Sequence, residues 1–460
     1  MANDPSTVSA AVSAMREDWA IVDALMGGTK AMRAASTNFL PKWPKEEQDA
    51  YEARLSLSTL LPAYSETISN MTGRVFAEPI TLGDDVPKEI ATFSENIDRQ
   101  GNNLQVWAQE LFRTGLDKGL CHVFVDYPKT KDVKTRADEI ALGARPYAVI
   151  IRPGQVLGWK SDSQNGEQML SQFRYMESVE EQDPDNEFAL KSIDQIRVLE
   201  VGKWTTYRKT ESTDKKVVWA VHEEGTTSLK HIPLATYYTK RTGFMTATPP
   251  LLELGHLNIK HWQSQSDQDN ILHVARVPML MVSGIDDDEW ELKVGTSAAT
   301  KLPVGGDMKW VEHTGKAIDA GRVSLQDLVD DMRIAGAKLL YKEKQATKTA
   351  TQAEEESAQE MSPLETMAGQ LEDCIDQVFQ YFAEYLKLES GGSVKVEGNF
   401  EVDYDQQTTL PFLLNMNAAG KLSDESLFSE IKRRGVLADE LSWENEKDRI
   451  DSQGPALGAL

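Results

Sequence analysis

The sequence predicts an α+β protein of several domains, and three observations carry that prediction. Apolar residues recur at spacings of three and four between residues 57 and 75, which marks one buried helical face. Between residues 122 and 222 the texture changes to short β-branched runs bounded by Pro and Gly. From residue 250 to 388 helical periodicity returns, interrupted by one compact β-rich insert. A chain of 460 residues holds about three domain-sized units by length.

Taken in order, residues 9–26 predict a helix stopped by Gly27-Gly28, inside an N-terminal arm of residues 1–50. Leu40-Pro-Lys-Trp-Pro44 opposes a helix there. Leu57, Leu61, Tyr64, Ile68, Met71 and Val75 form the stripe of the next helix, which Pro62 is placed to kink. Residues 87–101 read as a short helix and turn. Residues 104–120 read as a further helix with Leu104, Trp107, Leu111 and Leu116 inward. Strands are expected at 122–127, 147–151, 156–159, 168–176, 193–204 and 217–222, and the acidic stretch 177–187 is expected to be a loop. After residue 388 a Gly391-Gly392 turn leads into Val394-Lys-Val and Phe400-Glu-Val-Asp-Tyr, strands expected to return to the same sheet. A last helix spans 424–434, with Ser423 as its N-cap and Gly435 as its stop. The chain is expected to fray from Ser452.

Forty-nine Lys and Arg face 73 Asp and Glu, a formal charge of −24. Gripping nucleic acid by phosphate neutralisation needs clustered basic residues, so any contact with DNA must be local; the plainer reading is that acidity keeps the chain soluble. Cys121 and Cys374 lie far apart in apolar surroundings, as buried free thiols do. No secretory signal and no apolar run near 18 residues is visible, so the chain is expected to be neither secreted nor membrane-spanning.

No motif of catalysis stands out. The Gly-Lys pairs at Gly202, Gly315 and Gly420 lack both the earlier Gly and the following Ser or Thr of a phosphate loop. His256 and His261 are five apart and share no helical face well, so no metal is expected there. A calcium loop starting at Asp286 would need Gly and Glu where Glu291 and Ser297 stand. No cofactor is expected. Dispersed carboxylates such as Asp126, Glu177 and Asp194 leave open a metal-dependent enzyme assembled by folding.

The helical block has more to say. A helix over 251–270 starts apolar and then runs Gln263-Ser-Gln-Ser-Asp-Gln-Asp-Asn270. A helix that is polar all round needs partners on several sides, and copies of itself around a solvent-filled channel would supply them. A second helix over 322–340 puts Leu325, Leu328, Val329, Met332 and Leu339 on one stripe. Next comes a loop over 341–350 where Lys342, Lys344 and Lys348, with Lys338 just before, reverse the local charge. A solvated loop is the bland reading, a phosphate-facing loop the functional one. A helix of about ten turns then runs to residue 388, carrying Met361, Leu364, Met367, Leu371, Ile375, Val378, Phe382 and Tyr385. Ser362-Pro-Leu-Glu365 is a capping box with Pro at the first position, so this element kinks or restarts there.

Several stretches together resemble the portal proteins of tailed bacteriophages. They are Ile232-Pro-Leu-Ala, Thr248-Pro-Pro-Leu-Leu-Glu-Leu-Gly-His-Leu-Asn-Ile-Lys-His-Trp, Ser264-Gln-Ser-Asp267 and Val277-Pro-Met-Leu-Met-Val-Ser-Gly284. Downstream come Met332-Arg-Ile-Ala-Gly-Ala-Lys-Leu-Leu340, Thr349-Ala-Thr-Gln-Ala353 and Ser362-Pro-Leu364. The likeness runs in order over residues 51–388. It implies a non-enzymatic ring subunit, dodecameric in the virion, at one capsid vertex. Residues 51–250 would be an α+β wing, 251–270 and 320–340 the stem helices, 271–319 the clip and 341–350 the tunnel loop. The long wing helix would span 351–388, returning wing strands 389–408, and a short crown 409–460. The resemblance implies that the ring conducts double-stranded DNA during packaging and ejection. Its implied partners are the terminase large subunit, head-completion or adaptor proteins, and the major capsid and scaffolding proteins, with no membrane involved. Lys338, Lys342, Lys344 and Lys348 would face the DNA, and Asp286, Asp287, Asp288, Glu289 and Trp290 would lie on the docking surface of the clip. Another virion head component is the alternative within the same class.

Overall fold

A computed structural model of the protein describes residues 4–128, 143–164, 166–211, 217–276, 279–284, 305–311, 316–340, 361–400, 406–433, 437 and 441–452. The chain forms two compact units, Met1–Phe400 and Glu401–Leu460. Helices and strands both contribute substantially, so the α+β expectation holds.

The first unit begins with α1 (Ala10–Met26), where Ser9 Oγ accepts a hydrogen bond from the Val12 amide. Gly27 ends α1, but the chain turns through Gly28 (φ +67°) straight into α2 (Gly28–Ala35). The Gly pair therefore redirects a helical segment where the sequence suggested a stop. The helix expected over residues 57–75 is two, α3 (Gln48–Leu57) and α4 (Ala63–Val75). Proline disfavours helical geometry at the residue before it, and Pro62 forces a full break. Leu57 consequently leaves the stripe and is 70% exposed, whereas Tyr64, Ile68, Met71 and Val75 stay buried.

A two-residue strand β1 (Thr81–Leu82) and a short helix α5 (Lys88–Phe93) precede α6 (Leu104–Lys118). Asn103 caps α6, and Gly119 (φ +91°) ends it where a Cβ would lie 2.4 Å from the Thr248 carbonyl oxygen. Glycine is needed there for both the left-handed turn and the close approach. The central strand β2 (Leu120–Asp126) lies between β3 (Tyr147–Ile151) and β9 (Leu234–Tyr238), antiparallel to both. Leu120 and Phe124 join a core with Val12, Met15 and Trp19 of α1. The other face meets α6, where the Phe112 and Tyr237 rings lie 6.0 Å apart. Burial on both faces explains why β2 is apolar without alternation. Cys121 is buried there as a free thiol, and Cys374 is likewise free and buried.

A five-stranded antiparallel meander follows: β4 (Val156–Gln164), β5 (Glu167–Asp183), β6 (Asn186–Glu200), β7 (Lys203–Glu211) and β8 (Val217–Thr226). The acidic stretch 177–187 is thus not a loop. It forms the facing ends of β5 and β6, joined by a tight turn at Pro184-Asp185. Carboxylates are poor strand formers on a half-buried sheet, but here they stand on a ribbon wet on both sides. Phe173, Tyr175 and Leu199 carry the inner face of the meander into the α1–β2 core. Strands β10 (Arg241–Gly243) and β11 (Thr246–Ala247) make a small hairpin before the helical block.

That block contains α7 (Leu252–Ala275), the hairpin of β12 (Met279–Ser283) with β13 (Asp307–Val311), α8 (Lys316–Ala337) and α9 (Pro363–Leu386). The described long helix starts at Pro363. Ser362 accepts from the Glu365 amide while Glu365 accepts from the Ser362 amide, the reciprocal box that the sequence displays. Residues 351–360 lie outside the described residues. Among the described residues after 388, β14 (Val394–Lys395) forms and pairs with β1, outside both larger sheets. Residues 401–405 lie outside the described residues, and 406–408 are already helical.

The second unit holds α10 (Gln406–Ala418), α11 (Asp424–Arg433) and α12 (Trp443–Ser452). Ser423 caps α11 through the Ser426 amide, and Phe428 meets Trp443 at 5.6 Å between ring centroids. The first and third of these helices were not legible in the sequence; α10 contains Pro411 and α12 is mostly charged.

Candidate channel and docking region

Helices α7 and α8 run antiparallel. Gln268 Nε2, late in α7, donates to the Ile318 carbonyl early in α8 at 2.9 Å. At the other end, a Cβ on Gly336 would meet Thr67 Oγ1 at 3.1 Å and Leu254 Cδ2 at 3.8 Å. The sequence-predicted stripe is inward: Leu328, Met332 and Leu339 are buried, with Leu325 and Val329 half-buried. Lys338 is exposed one position before Leu339. Lys342, Lys344 and Lys348 lie outside the described residues, as do Asp286, Asp287, Asp288, Glu289 and Trp290.

The polar run of α7 finds its partners within its own chain, not only in copies of itself as the sequence suggested. Ser266 is 3% exposed and accepts from Ser58 Oγ at 2.9 Å. Gln263 Nε2 donates to the Phe39 carbonyl at 2.9 Å. Upstream on the same helix, fully buried Asn258 accepts from the Tyr64 amide and donates to the Leu61 carbonyl. A buried polar group costs stability unless it is hydrogen-bonded, and here the N-terminal arm and α3–α4 supply the bonds.

Arg54 is the centre of this clasp. Its guanidinium makes two 2.8 Å bonds to Glu46, donates to the Pro41 carbonyl at 2.9 Å and lies 4.1 Å over the Trp43 ring. Both partners are buried, with side chains 4% and 6% exposed. The hydrogen bonds from Arg54 hold the Glu46 carboxyl below its usual range against the opposing effect of burial. Nearby Asp267 is pushed up by burial, with Arg54 opposing and Glu46 adding to the shift. Sequence reading missed Arg54 and Glu46. The one signal for the buried polar group is Asn258, which falls at a core position between Leu254 and Trp262.

The two ends of the basic segment are tied together. The Leu364 amide donates to the Leu339 carbonyl at 3.0 Å, so the chain leaves the end of α8 and re-enters α9 at one point. At the opposite end of α8, β12 and β13 pair over five residues each, from Met279 with Val311 to Ser283 with Asp307. Gly284 (φ +77°) closes the described part, where a Cβ would meet the Gly305 carbonyl oxygen at 2.5 Å.

The dispersed carboxylates are engaged elsewhere. Asp126 pairs with Arg197 at 2.8 Å and accepts from Tyr147 Oη at 3.2 Å. Glu177 accepts from Gln195, and Asp194 lies 3.4 Å from Ser178 Oγ. Among the described residues no group of three or more His, Cys, Asp or Glu side chains is placed to hold a metal ion. Among them, no helix is long and apolar enough to cross a membrane.

A family described as a domain of unknown function, DUF4055, matches residues 250–386. The match begins two residues before α7 and ends on the last residue of α9. No curated protein matches the sequence. Among solved structures, the chain is similar to one in the virion of a native gene transfer agent particle, at 10% identity and TM-score 0.39, covering 88% of this chain and 98% of that one. A chain in the neck of an empty gene transfer agent particle, computed with C6 symmetry, gives 10% identity and TM-score 0.41 over 87% and 97% of the two chains. One in the neck of the native particle, computed with C12 symmetry, gives 10% and 0.38 over 79% and 88%. At such scores the likeness carries no functional weight.

Proposed function

We propose that this chain is the portal subunit of a tailed-phage-like particle: a non-enzymatic ring component that conducts DNA and docks other proteins. The observation that carries the reading is that two insertions leave opposite ends of one antiparallel helix pair. Helix α8 has 22 residues, about 33 Å at 1.5 Å per residue. The β12–β13 hairpin precedes its N-terminal end. The lysine-bearing segment leaves its C-terminal end and returns through the Leu339–Leu364 hydrogen bond. Repeated around an axis, this unit gives a channel wall with a docking edge at one end and a basic collar at the other.

The charges suit a conduit. A net −24 disfavours tight wrapping of DNA, so a duplex slides without sticking. Lys338, Lys342, Lys344 and Lys348 supply weak, salt-sensitive contacts multiplied by symmetry. In this reading Asp286 to Trp290 lie on the edge that meets the terminase large subunit and later the head-completion proteins. The particle's capsid and scaffolding proteins surround the ring at a unique vertex.

Replacing Lys342, Lys344 and Lys348 together with Ala tests the collar. Ring assembly should persist while packaging or retention of DNA changes; unaltered packaging at every salt concentration would reject a DNA-facing role.

A further inference from the structure

We infer that the β5–β6 ribbon of one copy docks into a groove along α6 of the next copy, and that this head-to-tail junction builds the ring. The inference rests on the portal reading and names the contact that would close it. Strand β5 pairs with β4 only as far as Tyr175, and β6 pairs with β7 only from Gln195. Residues 178–194 therefore project as a two-stranded ribbon, about 25 Å at 3.4 Å per residue. Such a ribbon is marginal in water by itself. Its tip is tied internally, since Gln182 Nε2 donates to the carbonyls of Asn186, Glu187 and Ala189. Phe188 is 92% exposed and Leu190 is 62% exposed, both on one face of the ribbon. Glu180 shares that face and Asp183 and Asp185 lie at the tip, while Glu181 on the opposite face pairs with Arg208 at 2.7 Å. An exposed Phe beside a Leu at an acidic tip is an apolar patch open to a partner.

The complementary surface lies on the same unit. Val106, Gln109, Glu110 and Arg113 on one face of α6 line a shallow cavity of about 560 Å³ with Thr72 and Arg152. Val106 is 49% exposed, an apolar floor for Phe188. Arg113 and Arg152 outnumber the lone Glu110, which Arg152 already engages at 2.7 Å. The groove thus opposes the tip in charge and matches it in having an apolar centre. It also starts at the foot of the ribbon, because Gln155, three residues after Arg152, donates to the Met176 carbonyl. A tip about 25 Å from its own groove reaches the groove of a copy displaced along the ribbon. Two different patches joined head to tail generate a closed ring when the rotation closes.

The test uses the full chain with two variants at exposed positions. One carries Phe188→Asp and Leu190→Asp; the other carries Val106→Asp, Arg113→Glu and Arg152→Glu. Both should melt like the parent, and each should raise the concentration needed for ring formation by at least about tenfold. Mixed in equal amounts they should form two-copy complexes and nothing larger, because one intact ribbon meets one intact groove and both outer ends are spoiled. Rings formed by either variant as readily as by the parent, or a mixture that stays monomeric, would overturn the junction while leaving the portal reading in place. A parent chain that never forms a ring would overturn both.

Discussion

The α7 helix and the β5–β6 ribbon are both polar by sequence, and the structure treats them in opposite ways. The polar run of α7 is tied into its own chain by Ser58, Phe39 and Ile318. The ribbon pairs Glu181 with Arg208 but keeps most of its charges in water, and also leaves Phe188 and Leu190 uncovered. A polar helix face is therefore no sign of a missing partner when the chain supplies buried hydrogen bonds. An apolar side chain left outside is the more informative sign, since covering a Phe stabilises by about 1.5–3 kcal/mol.

The contrast can be broken first at the clasp. Arg54→Ala leaves Glu46 buried without its partner and removes the stack on Trp43, and loss of one member of a buried pair costs about 3–5 kcal/mol. Urea unfolding of the full chain should report that loss; a change under about 1 kcal/mol would mean the arm does not hold α7. Leu328→Ala, which opens the α7–α8 seam, should cost about 2–5 kcal/mol in the same assay, and a parent-like midpoint would show that the stripe is not packed.

Burial pushes the Asp117 carboxyl up to about 6, with Lys118 opposing, Asp23 adding to the shift and Arg113 opposing. Its folded value exceeds the unfolded one, so between about pH 4 and pH 6 the folded chain holds more protons. Stability then falls as pH rises through that window and stays lower above it. Asp117→Asn should therefore raise stability at pH 7.5 by about 1–3 kcal/mol, an advantage that vanishes below about pH 4. Parallel melting curves for parent and variant at both pH values would contradict it. The smallest effect belongs to the ribbon: Phe188→Ser should change monomer stability by less than about 0.5 kcal/mol, and a larger loss would show that Phe188 packs within its own chain.

What was legible in the sequence was local. Ser362 with Glu365, and Ser423, announced helix starts because a cap needs only residues three positions apart. The α8 stripe was readable for the same reason. The partners of α7 were not, because Ser58 and Phe39 lie some 200 residues upstream. The acidic strands were misread as a loop because strand propensity describes a half-buried sheet, whereas residues 178–194 form a ribbon outside it. Pro62 showed a disturbance without showing that it splits the helix in two. For the proposed channel, the helix pair was visible in the sequence, while the Leu339–Leu364 tie that returns the basic segment to its start became visible only in the structure.

The central claim is that many copies close around a hole wide enough for duplex DNA. Electron microscopy of the purified chain at high concentration tests it most directly. The account predicts annular particles with an axial opening, their mass a whole multiple of 51.3 kDa. A field of solid single-copy particles under every assembly condition would contradict it.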